Sequence, residues 1–214
     1  MKLKIDETVH LADLSLHKKY VDWSPGAQYF TLGAGQEHYK LLAALSAQLP
    51  LGSQVVDCGT LYGCSAVALS VNPGVTVHTF DLEDRLTGQG ERVKQIHNIF
   101  FHQQCCIASV TDMLDGVQPL IIVLDIDPHD GEQEGDFVSK LMMFNYRGLL
   151  ICDDIHLNEA MKKFWRYLEK LATPTQTHSE MKWRVLDVTE YGHWSGTGIV
   201  VFDPETIDVE VEAS

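Results

Sequence analysis

Carboxylates that follow apolar runs are the chemistry-bearing feature of this sequence. Asp57, Asp81, Asp125 and Asp153 each close such a run, and Asp127, His129 and Asp154 stand a few residues beyond two of them. Acids so placed can accept hydrogen bonds from ribose hydroxyls, hold a divalent cation or take up a proton. Asp57 leads into Gly59-x-x-x-Gly63, a turn whose glycines let backbone come close to a nucleotide-like ligand. A bare helix N-terminus suits a pyrophosphate, whereas Asp57 at the mouth of this turn repels one. A phosphate-free nucleoside that carries cations fits better. S-adenosylmethionine (SAM), with its sulfonium and free ammonium, is such a ligand.

Asp81 follows the second strand at a spacing suited to both ribose hydroxyls, although an acid there can also simply cap the next turn. Asp125, Asp153 and Asp154 follow strands expected to be neighbours, so their carboxylates should converge and repel unless a cation or protons neutralise them. All-oxygen ligands select a hard ion, Mg²⁺ first, with Ca²⁺ or Mn²⁺ as alternatives. Such an ion would bind a substrate hydroxyl and lower its pKa. The bland reading is that Asp153 and Asp154 cap a helix while Asp125 only faces the cofactor. Asp127 and His129 are the candidates for accepting a proton from the acceptor hydroxyl, a histidine titrating nearer neutrality than an aspartate. Asp127 can equally be a metal ligand, and His129 a loop histidine. His156 reads as an ordinary helix-entry residue. Gly192 to Gly196 carries His193 and Trp194, which either cover a substrate or pack as a turn with an anchoring ring.

The elements that must position these groups alternate. Strands are expected over Gln54–Cys58, Thr76–Phe80, Gln103–Ala108, Leu120–Leu124 and Leu149–Cys152, with helices over Gly63–Val71, Gly90–Phe100, Glu134–Phe144 and Asn158–Leu171. Leu120 to Leu124 is apolar on both faces, the signature of a parallel strand covered on both sides. This order predicts a single α/β domain with a doubly wound, Rossmann-like, mostly parallel sheet. Trp183–Val188 and Ile199–Phe202 lack an intervening helix and predict a C-terminal antiparallel hairpin. Residues 1–35, with a short helix over His10–Val21 and a Trp23 to Gly26 turn, read as a helical cap. A helix over Gln36–Leu49 opens the main domain, 36–203, and an acidic tail fills 204–214. Tyr29, Phe30, Glu37 and His38 begin the part of the chain expected to roof a pocket.

With 214 residues, 45% hydrophobic, one sizeable core is the expectation. The net charge of −14 argues against nucleic acid and anionic membrane surfaces as partners, both of which need clustered Lys and Arg. The five cysteines, Cys58, Cys64, Cys105, Cys106 and Cys152, include no C-x-x-C pair and read as reduced thiols of a cytoplasmic protein. No leader pattern and no membrane-spanning apolar stretch is legible.

Asp57-Cys58-Gly59-Thr60-Leu61-Tyr62-Gly63-Cys64-Ser65-Ala66-Val67 resembles the first motif of class I SAM-dependent methyltransferases, the catechol O-methyltransferase type above all. His78-Thr79-Phe80-Asp81 resembles their ribose-binding segment, and Ala108-Ser109 the segment beside the adenine. Leu124 to His129 and Gly148 to Asp154 resemble the strand ends of metal-dependent O-methyltransferases, including those that methylate natural-product sugars. The resemblance spans about Gln36 to Phe202. It implies a seven-stranded sheet, an EC 2.1.1 activity and a hydroxylated small-molecule acceptor. It also implies SAM contacts from Asp57, Gly59, Thr60, Leu61, Gly63, Ser65, Asp81, Leu82, Ser109 and Asp125, and a metal at Asp125, Asp153 and Asp154. The chain departs from the pattern at Leu61, and at Pro128, where the catechol enzymes carry their catalytic lysine.

Three other readings compete. A metal-dependent glycosyltransferase would use Asp125-x-Asp127, but leaves the acid-led glycine turn without a purpose. An NAD-linked oxidoreductase expects G-x-G-x-x-G, which Gly59-x-x-x-Gly63 is not. A non-catalytic SAM-binding module would share the cofactor residues without turnover. A homodimer is also compatible with an aromatic-rich cap.

Overall fold

The computed structural model describes residues 1–173 and 183–212. The chain opens with strand β1 (Lys2–Ile5), a 3-10 turn over Glu7–Leu11 and the short helices α1 (Lys18–Val21) and α2 (Ala27–Thr31), followed by the long α3 (Gly33–Ala47). The continuous helix expected over His10–Val21 does not form. Asp6 accepts from Thr8 N at 2.8 Å and Asp13 from Ser15 N at 2.8 Å, so two Asx turns hold the backbone in place of a helical ladder.

Then come β2 (Gln54–Cys58), α4 (Cys64–Leu69), β3 (Thr76–Asp81), α5 (Glu91–Lys94), β4 (Ile99–Gln103), α6 (Val110–Asp112), β5 (Ile121–Leu124), α7 (Glu132–Met143), β6 (Leu149–Asp153), α8 (Glu159–Ala172), β7 (Arg184–Asp187), β8 (Thr197–Val201) and β9 (Asp208–Val211). Seven of these strands form one sheet in the order β4-β3-β2-β5-β6-β8-β7, parallel except for β8, which is antiparallel to both β6 and β7. The Rossmann-like α/β architecture with its antiparallel hairpin is therefore present. The strand order reverses at β2, and the crevice this creates lies at the carboxyl ends of β2 and β5.

The sheet is apolar on both faces because its residues alternate between two cores. Val55, Val77, Val123, Ile151 and Ile199 face the core that contains α3 and α4, with Leu41, Leu42 and Leu45 of α3 fully buried. Val56, Phe80, Leu124, Cys152 and Val200 face the core under α7 and α8. Helix α8 is strongly amphipathic, burying Met161, Phe164, Trp165 and Leu168 at helical spacing, and Asn158 caps it by accepting from Ala160 N and Met161 N.

The third strand lies at Ile99–Gln103, not Gln103–Ala108, and the helix expected over Gly90–Phe100 shrinks to a 3-10 turn and the four residues of α5. Ile99-Phe100-Phe101 has the β-branched and aromatic character of a strand, and pairing with β3 from Val77↔Ile99 to Asp81↔Gln103 claims it. At the termini, β1 pairs in parallel with β9, so segments read as cap and acidic tail meet in a two-stranded sheet. Lys2 pairs with Glu210, and Lys4 with Asp6 and Glu212, which places the tail's acids against the amino-terminal lysines. Residues 213–214 of that tail lie outside the described residues.

Candidate active site

Helix α4 begins only after a turn that side chains could not make. Gly59 has φ +101°, and a Cβ there would lie 1.7 Å from the Asp125 carbonyl oxygen; Gly63, at φ +79°, is the residue before α4. The turn from β2 is thereby pressed directly onto the end of β5. Asp81, at the end of β3, ties down the outer side: its Oδ2 accepts from Leu61 N at 2.8 Å and its Oδ1 from Glu83 N at 3.1 Å. Thr60 and Thr79 share a buried hydroxyl contact of 2.6 Å, and Thr79 donates to Asp57 Oδ2 at 2.7 Å. Asp57 itself is fully buried, and its Oδ1 has no partner. Burial, offset by the Thr79 bond and reinforced by Asp125 and Asp81, raises its carboxyl to about 7.

Two clefts of similar size, about 210 and 230 Å³, open at the carboxyl edge of the sheet. Gly59, Leu61, Asp81, Leu82, Asp125, Asp127 and His129 line the first. Asp125, Asp153 and Asp154 line the second, with His38, His193 and Trp194. Asp125 belongs to both, so the clefts join at its side chain. Thr60, Gly63, Ser65, Ser109 and Asp57 line neither cleft; they build the turn or lie behind it. Ser109 donates to Gln104 Oε1 at 3.3 Å.

The three carboxylates expected to share a cation fall instead into two groups, each completed by a histidine, and Asp125 and Asp153 do not share one. Among the described residues, Asp125, His129 and Asp154 offer ligand atoms within 4.8 Å of one another, and so do Asp153, Asp154 and His193. Asp154 is common to both groups. Its Oδ2 stands 3.4 Å from His129 Nε2 and its Oδ1 3.7 Å from His193 Nδ1. Ser195 donates to Asp154 Oδ1 and also contacts His193 Nδ1. His129 Nε2 lies 3.9 Å from Asp125 and 3.8 Å from Asp127, whose side chain is otherwise open to solvent.

These charges hold one another away from their ordinary ionisation. Burial and then Asp153 push Asp125 up to about 7, and burial and then Asp154 do the same to Asp153. Burial opposes ionisation of Asp154 too, but the bonds from His193 and Ser195 outweigh it and lower the carboxyl. The Asp154 contact raises His193 against its burial. His38 is driven down to about 4 by burial. Leu61, His129 and Asp154 all have φ between +44° and +59°, backbone strain gathered at the two clefts.

Of the residues considered for a roof, Tyr29 and His38 line the second cleft, whereas Phe30 is buried against Tyr39 with ring centroids 5.2 Å apart and Glu37 accepts from Gly35 N. Trp194 is 72% exposed at the second cleft, so it is not a packed anchor. His156 pairs with Asp187 at 2.8 Å, away from both clefts. Sequence reasoning missed Arg85, Gln104, Cys105 and Cys106 on the first cleft. Gln104, Cys105 and Cys106 follow the end of β4 at Gln103, and moving that strand to its observed position would have placed them at the sheet's carboxyl edge.

No family model matches the chain, and no curated protein matches it by sequence. Solved structures do. An SAH-bound methyltransferase from Podospora anserina is 13% identical with a TM-score of 0.61, over 93% of this chain and 89% of that one. A precorrin-6y C5,15-methyltransferase from Geobacter metallireducens is 15% identical with a TM-score of 0.50, over 81% and 91%. A fibrillarin pre-rRNA processing protein from Methanococcus jannaschii is 9% identical with a TM-score of 0.50, over 74% of each chain. What they share with this chain is the Rossmann-like methyltransferase fold.

Proposed function

We propose that this protein is a SAM-dependent O-methyltransferase acting on a hydroxyl of a small molecule, with a divalent cation at Asp125, Asp153 and Asp154. One observation carries the reading: the glycine turn held by Asp81 and the acid and histidine cleft are two halves of a single site joined at Asp125. Asp81, at the tip of β3, is placed to accept from ribose hydroxyls, and the strained Gly59 turn brings backbone close to the donor. Asp81 and Asp125 bring carboxylate oxygens to the wall of the first cleft, where a sulfonium and an ammonium find acceptors. The cation, Mg²⁺ if oxygen atoms alone hold it, would orient the acceptor and acidify its hydroxyl. His129, on the first cleft and 3.4 Å from Asp154 of the second, is placed to receive the proton at Nε2. Trp194 and Tyr29 provide aromatic surface at the mouth of the second cleft.

The acid lining also bears on the partner. Among the described residues no Lys or Arg lines the second cleft, and the chain carries a net charge of −14, which disfavours a polyanionic acceptor such as rRNA. Free cysteines throughout suit a reducing compartment, and among the described residues no helix is long and apolar enough to cross a membrane.

Isothermal calorimetry with SAM tests the reading. Wild-type protein should bind SAM, and Asp81→Asn should bind it about 10- to 100-fold more weakly, the loss of a charge-assisted hydrogen bond. Absence of binding by the wild type would overturn the proposal.

A further inference from the structure

His129, placed to receive the acceptor's proton at Nε2, has a buried acid behind its other ring nitrogen. Glu134, in the first turn of α7, is 2% exposed. Its Oε2 accepts from Gly131 N at 2.9 Å, a capping contact that needs no second oxygen. Its Oε1 has no hydrogen-bond partner and lies 3.9 Å from His129 Nδ1. Buried carboxylate oxygens are ordinarily satisfied, and the group facing this one is a ring nitrogen. The loop between β5 and α7 is fixed around the pair. Asn158 Nδ2 donates to the His129 carbonyl oxygen at 3.0 Å, Asp130 accepts from Glu132 N and Gln133 N, and a Cβ at Gly131 would lie 2.8 Å from the Ala160 carbonyl oxygen of α8. His129 is thereby kept at φ +55°, with one edge of its ring toward Glu134 and the other toward the acids of the clefts.

We infer that Glu134 is the positioning residue of His129: its Oε1 keeps a proton on Nδ1, which leaves the lone pair of Nε2 facing the cleft. In a neutral imidazole the partner of one nitrogen decides which nitrogen carries the hydrogen. The 3.9 Å gap is longer than a hydrogen bond, and pairs of this sort tighten when the reacting groups are in place. The opposing pull on Nε2 is weaker. Of the acids near it, Asp127 has an 89% exposed side chain that water screens, Asp154 is already met by Ser195 and His193, and Asp125 stands no closer than Glu134 does to Nδ1. Glu134, being buried, is screened far less. The inference rests on the methyltransferase reading for the source of the proton, but not for the state of the ring. In that reading the acceptor's O–H proton passes to Nε2 as its oxygen bonds the methyl carbon and the carbon–sulfur electron pair returns to sulfur. The imidazolium then keeps its Nδ1–H against a carboxylate.

The test uses the full chain labelled with ¹⁵N-histidine and read by long-range ¹H–¹⁵N correlation at about pH 9, where an imidazole is ordinarily neutral. The His129 signals are those that vanish in His129→Gln. Wild type should show Nδ1 with the shift of a protonated nitrogen and Nε2 with that of a bare one. Glu134→Gln keeps an oxygen for Gly131 N and turns its NH₂ toward Nδ1, so the two shifts should exchange. Glu132→Gln, exposed in the same turn, should leave them unchanged. A capping role alone predicts wild-type shifts in Glu134→Gln, because the cap survives. A proton on Nε2 in wild type, shifts averaged between the two tautomers, or unaltered shifts in Glu134→Gln would each overturn the inference. If Glu134→Gln does not fold, the wild-type tautomer decides. SAM calorimetry on the same sample separates the two ideas: SAM bound by a protein whose His129 carries its proton on Nε2 removes the positioning role alone, and no SAM bound with the proton on Nδ1 removes the methyltransferase reading alone.

Discussion

Gly59→Ala should be the most damaging single methyl in the protein. The new Cβ would meet the Asp125 carbonyl oxygen at 1.7 Å, and backbone cannot swing aside as a side chain can. To regain ordinary contact at 3.4 Å, the ends of β2 and β5 must separate by about 1.7 Å. The φ of +101° adds strain that an alanine feels and a glycine does not. Overpacking costs about 1 to 3 kcal/mol and the left-handed backbone about 1 to 2, so the sum is roughly 2 to 5 kcal/mol. In a chain of this size each kcal/mol moves Tm by about 2 to 4 °C, which predicts a drop on the order of 4 to 20 °C. The same shift displaces Asp125, where the two clefts join, so SAM affinity should fall with stability. Gly135→Ala, in the interior of α7 with nothing within 4 Å of the added methyl, is the control and should raise stability by about 0.5 to 1 kcal/mol. Differential scanning calorimetry and SAM titration read both effects. A Gly59→Ala protein with wild-type Tm and SAM affinity would refute the claim that this turn is pressed against β5.

Three further outcomes follow from the same geometry. Asp57, Asp125 and Asp153 hold protons up to about pH 7 in the folded chain but only to about 4 when unfolded, so the unfolded state binds fewer protons in that window. Stability of metal-free protein should therefore fall as pH rises from about 4 to 7. Asp57→Asn should gain on wild type across that interval, by about 1 to 3 kcal/mol at pH 8, and denaturant melts showing a pH-independent difference would contradict this. His129→Gln should lower kcat by about 10² to 10⁴ while SAM affinity stays near wild type, read by calorimetry beside a methyl-transfer assay; an unchanged kcat would remove it as the base. Trp194→Ala, at a largely exposed position, should leave stability within about 0.5 kcal/mol and raise KM for the acceptor, and a fall in Tm of several degrees would show instead that the ring is packed.

The periodicity of the chain was enough for the central parallel strands, because a strand buried on both faces must be apolar along its length, as β5 is throughout and β6 is up to Asp153. Acids at the ends of those strands were legible for a related reason: polar residues that interrupt an apolar run mark where it leaves the core. The third strand was misplaced by four residues because Ile99-Phe100-Phe101 suits either element locally, and only pairing with β3 decided it. Likewise, the tail's acids carry no local sign that β1, some 200 residues earlier, will pair with them.

The sequence by itself determined the central strands β2, β3, β5 and β6, the edge on which the acids gather and the glycine turn, since these follow from local pattern and backbone sterics. Tertiary structure decided which groups meet. His38 on α3 and His193 on the hairpin connection are 155 positions apart, yet they converge on Asp153 and Asp154. Chain spacing contains no measure of that approach, because it is set by how α3 and the β7–β8 connection pack over the sheet.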